Sequence, residues 1–375
     1  MGGAPNNRRP GIGGASGRKG ASVPRRAFVL AVILAIATLG LAAVAAPAST
    51  AAGAASAAAA PDLASAPPHE RIVVCFVSPG DRSYERTVRL PAAAAKVLLS
   101  ATPSYPGPCA VYGERSRLGE GVIRTYAQLH RGKPLAVGVT FPRSTFEDLP
   151  TAPHDGHHCY DANGDGAIDD HHECVGGHER VMFLPERLRD EVDTPFQWVL
   201  MNWNPVGHHP PETYGVPHFD FHFYIQDLEE RNAIGAGPCG LLVDCDDYAR
   251  GAIAVPDAHL PRDYMDVGAV EAGMGNHLID TTSPEFSGQP FTHTFIYGAF
   301  DGRISFYEPM ITLEWFKRLF GGDVASRCFA LKLPTAWKPA GWYPTEYCIR
   351  YRANRADYTV SLEGFVLRDA DSAGG

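Results

Sequence analysis

Hydrophobic and polar positions alternate most sharply in Pro217-His218-Phe219-Asp220-Phe221-His222-Phe223-Tyr224. A period of two is the β-strand period, so His218, Asp220 and His222 share one face, and Phe219, Phe221 and Phe223 share the other. Aromatic residues favour strands. At about 3.3 Å of rise per residue, neighbours at i and i+2 stand roughly 7 Å apart at Cα, and His218 and His222 roughly 13 Å. Asp220 with one of these histidines therefore makes half of a metal site, to be completed from elsewhere in the chain. The alternative is a buried network in which Asp220 bridges the two histidines.

The same pattern predicts further elements. Residues 72–77 and 87–90 form strands around a Ser78-Pro79-Gly80-Asp81 turn, and Pro91 opens a short helix to Leu99. Residues 121–129 and 134–141 form a hairpin about Arg131-Gly132-Lys133, and 196–203 is a strand. The clearest hairpin is 291–310, turned by Asp301-Gly302. A two-residue turn sets Phe295 opposite Glu308, Tyr297 opposite Phe306 and His293 opposite Met310. Glu308 then lies on a largely apolar face with His293, Phe295, Tyr297, Ala299, Ile304, Phe306 and Met310. A carboxylate there must be paired or must coordinate something. The alternative buries the Thr292/Thr294/Ile296 face instead. Gly273-Met274-Gly275-Asn276-His277 reads as a glycine-flanked turn carrying an imidazole. Residues 311–320 read as a helix stopped by Gly321-Gly322, and strands return over 328–367. The fold expected is mainly β and antiparallel, with few short helices.

Composition adds a compartment. The 375 residues are 45% hydrophobic, enough for a core. Residues 1–48 hold Arg8, Arg9, Arg18, Lys19, Arg25 and Arg26 and no acid. They end in an apolar run with small-x-small sites at Ala43-Val44-Ala45 and Ala46-Pro47-Ala48. This reads as a cleaved export signal, with Arg25-Arg26 resembling a twin-arginine motif; an uncleaved anchor is the alternative, and only that one would touch a membrane. An Ala/Ser/Pro-rich linker spans 49–68. Without the six basic residues of the signal, the 33 Lys and Arg fall to 27 against 42 Asp and Glu. A net charge of −15 disfavours nucleic acid as a partner. No phosphate-binding glycine loop and no Gly-x-Ser-x-Gly elbow is present, which disfavours nucleotide and serine-nucleophile chemistry. Eight cysteines in an exported chain suggest disulfides, and proximity suggests Cys75–Cys109, Cys159–Cys174, Cys239–Cys245 and Cys328–Cys348.

A second chemical stretch runs from Cys159 to Cys174. Asp161, Asn163 and Asp165 occupy positions 1, 3 and 5 of a calcium loop, with Gly166 at 6, the Ala167 carbonyl at 7, Ile168 at 8 and Asp169 at 9. Position 12 is His172, with Glu173 one residue late and Asp170 two early. The stretch resembles dockerin and thrombospondin-type calcium loops more than a complete EF-hand. His154, His157, His158, His171, His172 and His178 crowd the same region; clustered imidazoles can bind zinc, copper or nickel, but the irregular spacing is more commonly that of a solvated loop.

Asn202-Trp203-Asn204-Pro205, residues 216–224, 273–280 and 291–312, and Gly341-Trp342-Tyr343-Pro344 together resemble an exported bacterial family of unknown function, the TTHB-type family first defined from Thermus. The resemblance covers about residues 115–367 and implies a β-rich, barrel-like, homo-oligomeric protein with no settled activity. It divides the mature chain into a small disulfide-stapled module, 69–112, and a barrel-like domain, 113–370, with the calcium-loop-like insertion at 154–178. The module resembles a small exported unit with a Cys-x-x-Pro-Pro-Gly start. Here Ser78 replaces the first proline, and Phe76 stands where histidine is common. Two functions remain open: a secreted or cell-surface calcium-binding or structural protein, or a metal-dependent enzyme with a cupin-like zinc or iron(II) site drawn from His218, Asp220, His222, His277 and Glu308.

Overall fold

The computed structural model of the chain describes residues 66–371. The N-terminal basic and apolar segment, nearly all of the linker and the last four residues lie outside the described residues. The first sheet is small. Strands β1 (Arg71–Ser78) and β2 (Asp81–Pro91) form a hairpin, and β3 (Tyr105–Pro106) pairs on the other side of β1. Helix α1 (Ala92–Ala101) starts directly after Pro91, whose fixed φ suits a helix start. This unit has its own apolar cluster about Cys75, Val77 and Tyr105. It is fastened to the remainder by Asn354, whose side-chain amide donates to the carbonyls of Leu99, Thr102 and Ser104. The described residues belong to one compact unit.

The remainder is a two-layer antiparallel β structure, as the alternation predicts. Strands β4 (Val111–Leu118), β5 (Gly121–His130) and β6 (Lys133–Pro142) begin one sheet. Two short pieces, β7 (His158–Cys159) and β8 (Cys174–Val175), close the insertion. Then come β9 (His178–Phe183), β10 (Trp198–Asn204), β11 (His218–Tyr224), the short β12 (Ala236–Cys239), β13 (Tyr264–Glu271), β14 (Gly275–Asp280), β15 (His293–Phe300) and β16 (Arg303–Thr312). The chain ends with β17 (Arg327–Ala330), β18 (Gly341–Tyr343), β19 (Glu346–Arg352), β20 (Asp357–Glu363) and β21 (Val366–Arg368). One large sheet has the order β13-β14-β15-β16-β11-β10-β9 and the other β17-β19-β20-β6-β5-β4. Each keeps two free edges, so the barrel-like body is a sandwich rather than a closed barrel.

The core lies between these sheets. Phe221 on β11 stacks on Phe141 of β6 at 6.1 Å, and Phe141 stacks on Tyr358 of β20 at 5.5 Å. The helix after β16, Leu313–Gly321, adds Phe316 to the same cluster. The Thr312 hydroxyl accepts from the Trp315 amide at its start, and Gly322 ends it in the left-handed conformation. The four disulfides join the cysteines in the expected local pairs, and no cysteine is free.

Two expectations need correction. The Asp301-Gly302 turn pairs Phe300 with Arg303 and Ala299 with Ile304, as its length requires, but a bulge between Gly298 and Ala299 then shifts the register by one. Beyond the bulge Glu308 faces Ile296, not Phe295, and Tyr307 faces Tyr297. Glu308 therefore shares a face with Ile296, Phe306 and Met310, the one offered as the alternative. Both faces are buried: Phe295 and Tyr297 point into the sandwich, while Ile296, Phe306 and Met310 form a second apolar cluster outside it. His277 sits within strand β14 rather than in a turn, because the turn closes at Gly273 and Met274.

Candidate metal centre

The outer face of the seven-stranded sheet carries the polar half of the alternating strand. His218, Asp220 and His222 are all buried, although they point away from the sandwich core. Loops cover them: 205–217 with its short helix Pro211–Tyr214, the residues between β11 and β14, and the end of the insertion at Gly176. Between loops and sheet lies a cavity of about 70 Å³ of water-accessible space, bordered by His208, Asp220, His222, Glu271, His277 and Glu308. That is room for a few small molecules or an ion with its water, since one water needs roughly 10–15 Å³ on this measure.

Register brings the first three groups together. Asp220 pairs with Met310 and Phe223 with Tyr307, so His222 and Glu308 stand opposite one another on β11 and β16. His222 Nε2 lies 3.3 Å from Glu308 Oε1. His277 comes from β14, two strands beyond β16. It reaches the pair because Gly298, its neighbour on β15, has no side chain. A Cβ at Gly298 would lie 2.2 Å from the Phe306 ring, so glycine there lets Phe306 pack at 5.3 Å from His277 and 4.8 Å from His222. Opposite His277, β13 bulges between Asp266 and Val270, and the Ala269 carbonyl turns to accept from His277 Nδ1 at 3.1 Å. The ligating atoms of His222, His277 and Glu308 all lie within 4.8 Å of one another.

A second set forms beside it. Asp220 meets His218 at 3.3 Å and His208 at 3.6 Å, and these three also lie within 4.8 Å of one another. Asn204, across the ladder on β10, donates to Asp220 Oδ2 at 2.6 Å. Of the five residues expected in one site, Asp220, His222, His277 and Glu308 line the cavity and His218 stands behind Asp220, so the five fall into two groups. Asp220 joins His218 and His208, not His222. His208 was missed: it lies in a loop with no periodicity, and only the run His208-His209-Pro210-Pro211 hinted at it.

Every imidazole of the two sets is oriented alike. Nδ1 contacts a backbone carbonyl in each: Val216 for His218 at 2.7 Å, Leu200 for His222 at 3.4 Å, Ala269 for His277 at 3.1 Å and His209 for His208 at 2.8 Å. With Nδ1 as the donor, Nε2 presents its lone pair, the arrangement that metal-ligating histidines adopt. Nε2 of His218 and of His222, Oδ1 of Asp220 and Oε2 of Glu308 are buried with no hydrogen-bond partner among the described residues. Burial pushes the His222 imidazole down to about 3 and the His218 imidazole to about 4, keeping both neutral. His277 is lowered for the same first reason. Burial, reinforced by Asp220 and Glu271, raises Glu308 well above the usual carboxylate range. Burial opposes ionisation of Asp220, but His218 and His208 hold its carboxyl low. His208 is itself raised by Asp220 against the effect of burial.

No family model, curated protein or solved structure matches the chain. What the cavity can do follows from its own donor set. Two ligands held 2.0–2.1 Å from a tetrahedral zinc stand about 3.3–3.4 Å apart. The two 3.3 Å contacts, His222 to Glu308 and His218 to Asp220, have that spacing without being hydrogen bonds. Two imidazoles and a carboxylate suit zinc or iron(II) and leave coordination positions free.

The insertion is organised differently. Asp161 Oδ1 and Oδ2 accept the amides of Gly164 and Gly166 at 2.7 and 2.8 Å, Asn163 accepts Asp165, and Asp165 accepts Ala167. Buried Glu173 accepts the amides of Ala162, Asn163 and Asp169. Asp169 is held low by its contact with His172 at 2.7 Å. The insertion is anchored near the cavity by His158, which meets Glu179 at 3.2 Å; buried Arg231 pairs with the same carboxylate. The crowded histidines do not gather. His157 bonds Asp155, His178 bonds the Ala152 carbonyl, and His154 accepts from the Gly177 amide.

Proposed function

We propose that this protein is an exported metalloprotein whose His222, His277 and Glu308 hold a zinc-type divalent ion, with the open coordination positions of a catalytic rather than a structural site. The observation that carries this is the pairing of two imidazoles, each turned by a carbonyl at Nδ1, with a buried carboxylate that has no other partner at Oε2. An unpaired buried carboxylate costs several kcal/mol, and an ion removes that cost. When bound, such an ion lowers the pKa of its water to about 7 and polarises oxygen atoms of a substrate. The cavity's size restricts that substrate to a small molecule or to the tip of a larger one. Export is supported by four disulfides. Among the described residues no helix is long and apolar enough to cross a membrane.

Elemental analysis of tag-free protein purified from its export compartment should find at least one transition-metal ion per chain. Chelator-stripped protein should rebind zinc with a Kd below about 1 µM. Neither stoichiometric metal nor binding below about 100 µM would end the proposal.

Calcium at the loop from Asp161 to Glu173 is a separate reading. It is favoured by the order that disulfide Cys159–Cys174 and buried Glu173 already impose on the oxygens at positions 1, 3 and 5. Calorimetry should give a Kd of about 10⁻⁴–10⁻³ M, the range of extracellular modules. Asp161→Ala should abolish it while zinc binding stays unchanged; no heat at millimolar calcium leaves the loop as a turn.

A further inference from the structure

We infer that the cavity takes two metal ions: beside the inner set of His222, His277 and Glu308, the residues His208, His218 and Asp220 form a second site, named the outer set for short. The inference rests on reading the cavity as a metal centre, but not on the inner set itself. Its observations are its own. His218 is wholly buried, yet Nε2 has no hydrogen-bond partner among the described residues, and neither does Asp220 Oδ1 at 3.3 Å from it. Their separation is that of two ligands on a tetrahedral ion, as at the inner set. Both imidazoles are turned with Nε2 towards Asp220 by carbonyl contacts at Nδ1, to Val216 for His218 and to His209 for His208. Asp220 keeps one oxygen for Asn204 and leaves the other for an ion, which is how a ligating carboxylate is normally supported.

Both imidazoles lie within ion-pair reach of Asp220, His218 Nε2 at 3.3 Å and His208 Nε2 at 3.6 Å. Neither His218 Nε2 nor Asp220 Oδ1 has a hydrogen-bond partner among the described residues, so these ion pairs leave both atoms unsatisfied. His208 and Asp220 of one set border the same cavity as His222, His277 and Glu308 of the other, and strand β11 supplies both sets, with Asp220 and His222 only two residues apart on one face. Each set has one partly exposed imidazole, His208 in one and His277 in the other, while the side chains of His218, Asp220, His222 and Glu308 are 5% exposed or less. Two ions facing one cavity suit a substrate with a pair of anionic oxygens, a phosphate or carboxylate group, bound between them.

The test is a cobalt(II) titration of the chelator-stripped full-length mature chain, followed by visible absorption and checked by elemental analysis. The unmutated protein should bind two tight equivalents. His208→Asn and Asp220→Asn should each remove one equivalent and change the affinity of the other less than about threefold. His277→Ala should remove the other equivalent, and His277→Ala combined with Asp220→Asn should remove both. Imidazoles in the insertion cannot imitate this, because their contribution survives in every variant. A single equivalent, lost in His277→Ala and kept in both outer-set variants, overturns the outer site and leaves the inner one standing. A single equivalent with the opposite pattern supports the outer site and overturns the inner. No tight equivalent overturns both.

Discussion

Glu308→Gln should abolish binding at the inner site while making the metal-free protein more stable. Glutamine keeps the shape of the side chain but cannot supply the charge that balances a divalent ion, so affinity should fall at least about 100-fold. The stability effect has the opposite sign because of burial. Glu308 is raised well above its ordinary value by desolvation and by Asp220 and Glu271. In the folded metal-free state it therefore holds its proton to a higher pH than the unfolded chain, which releases it above about pH 4.3. The folded state binds more protons, so this group's contribution falls as pH rises from about 4.3 towards its folded pKa. Glutamine has no such term. The variant should be more stable than the stripped parent at pH 7, by about 1.4 kcal/mol for each pH unit below 7 over which the folded state keeps the proton that the unfolded chain has lost, with the difference vanishing near pH 4. Urea unfolding of both at pH 4 and 7 measures this. If the variant is less stable at pH 7 and binds zinc like the parent, Glu308 is a structural hydrogen-bonding group and the inner site is wrong.

That opposition of signs is invisible in the sequence, although its components were legible. The alternation around Asp220 gave the strand and the shared face of the three polar groups. The spacing of cysteines gave all four pairs, because local chain closure dominates when loops are short. A period of two does not say which face is buried, and here both are. The Phe219, Phe221 and Phe223 face meets the second sheet, and the His218, Asp220 and His222 face is roofed by loops distant in sequence. The bulge at Gly298 and Ala299 likewise escaped a rule based on turn length, since it arises where Phe306 must pack over a residue without a side chain. That single shift decides which neighbours Glu308 has. His208 escaped for a third reason: its position depends on how loop 205–217 folds over the strand, which local patterning does not encode.

Phe221→Ala should be among the most destabilising single changes in the chain, and it should leave the metal sites recognisable. Phe221 sits between Asp220 and His222 but points the other way, into the sandwich, where it stacks on Phe141 at 6.1 Å and meets Phe316 at 6.5 Å. It is fully buried. Truncation removes the ring and leaves a void that rigid aromatic neighbours on the opposite sheet and the Leu313–Gly321 helix fill poorly. The cost should be about 3–5 kcal/mol, and Phe221→Leu should recover more than half of it. On the ligand face, β11 stays paired with β10 through seven residue pairs and with β16 on its other side. The backbone that aims His222 and Asp220 is therefore held by ladders that Phe221 does not make. Cobalt affinity in the folded variant should stay within about tenfold of the parent, because ligand orientation is set by the Nδ1 contacts to Leu200, Val216 and Ala269 rather than by the core ring. Chemical denaturation and cobalt titration of the same sample separate the two effects. A loss below about 1 kcal/mol would mean that the two sheets do not depend on this contact. A loss of both cobalt equivalents from a still-folded variant would mean that core packing, not the carbonyl contacts, positions the ligands.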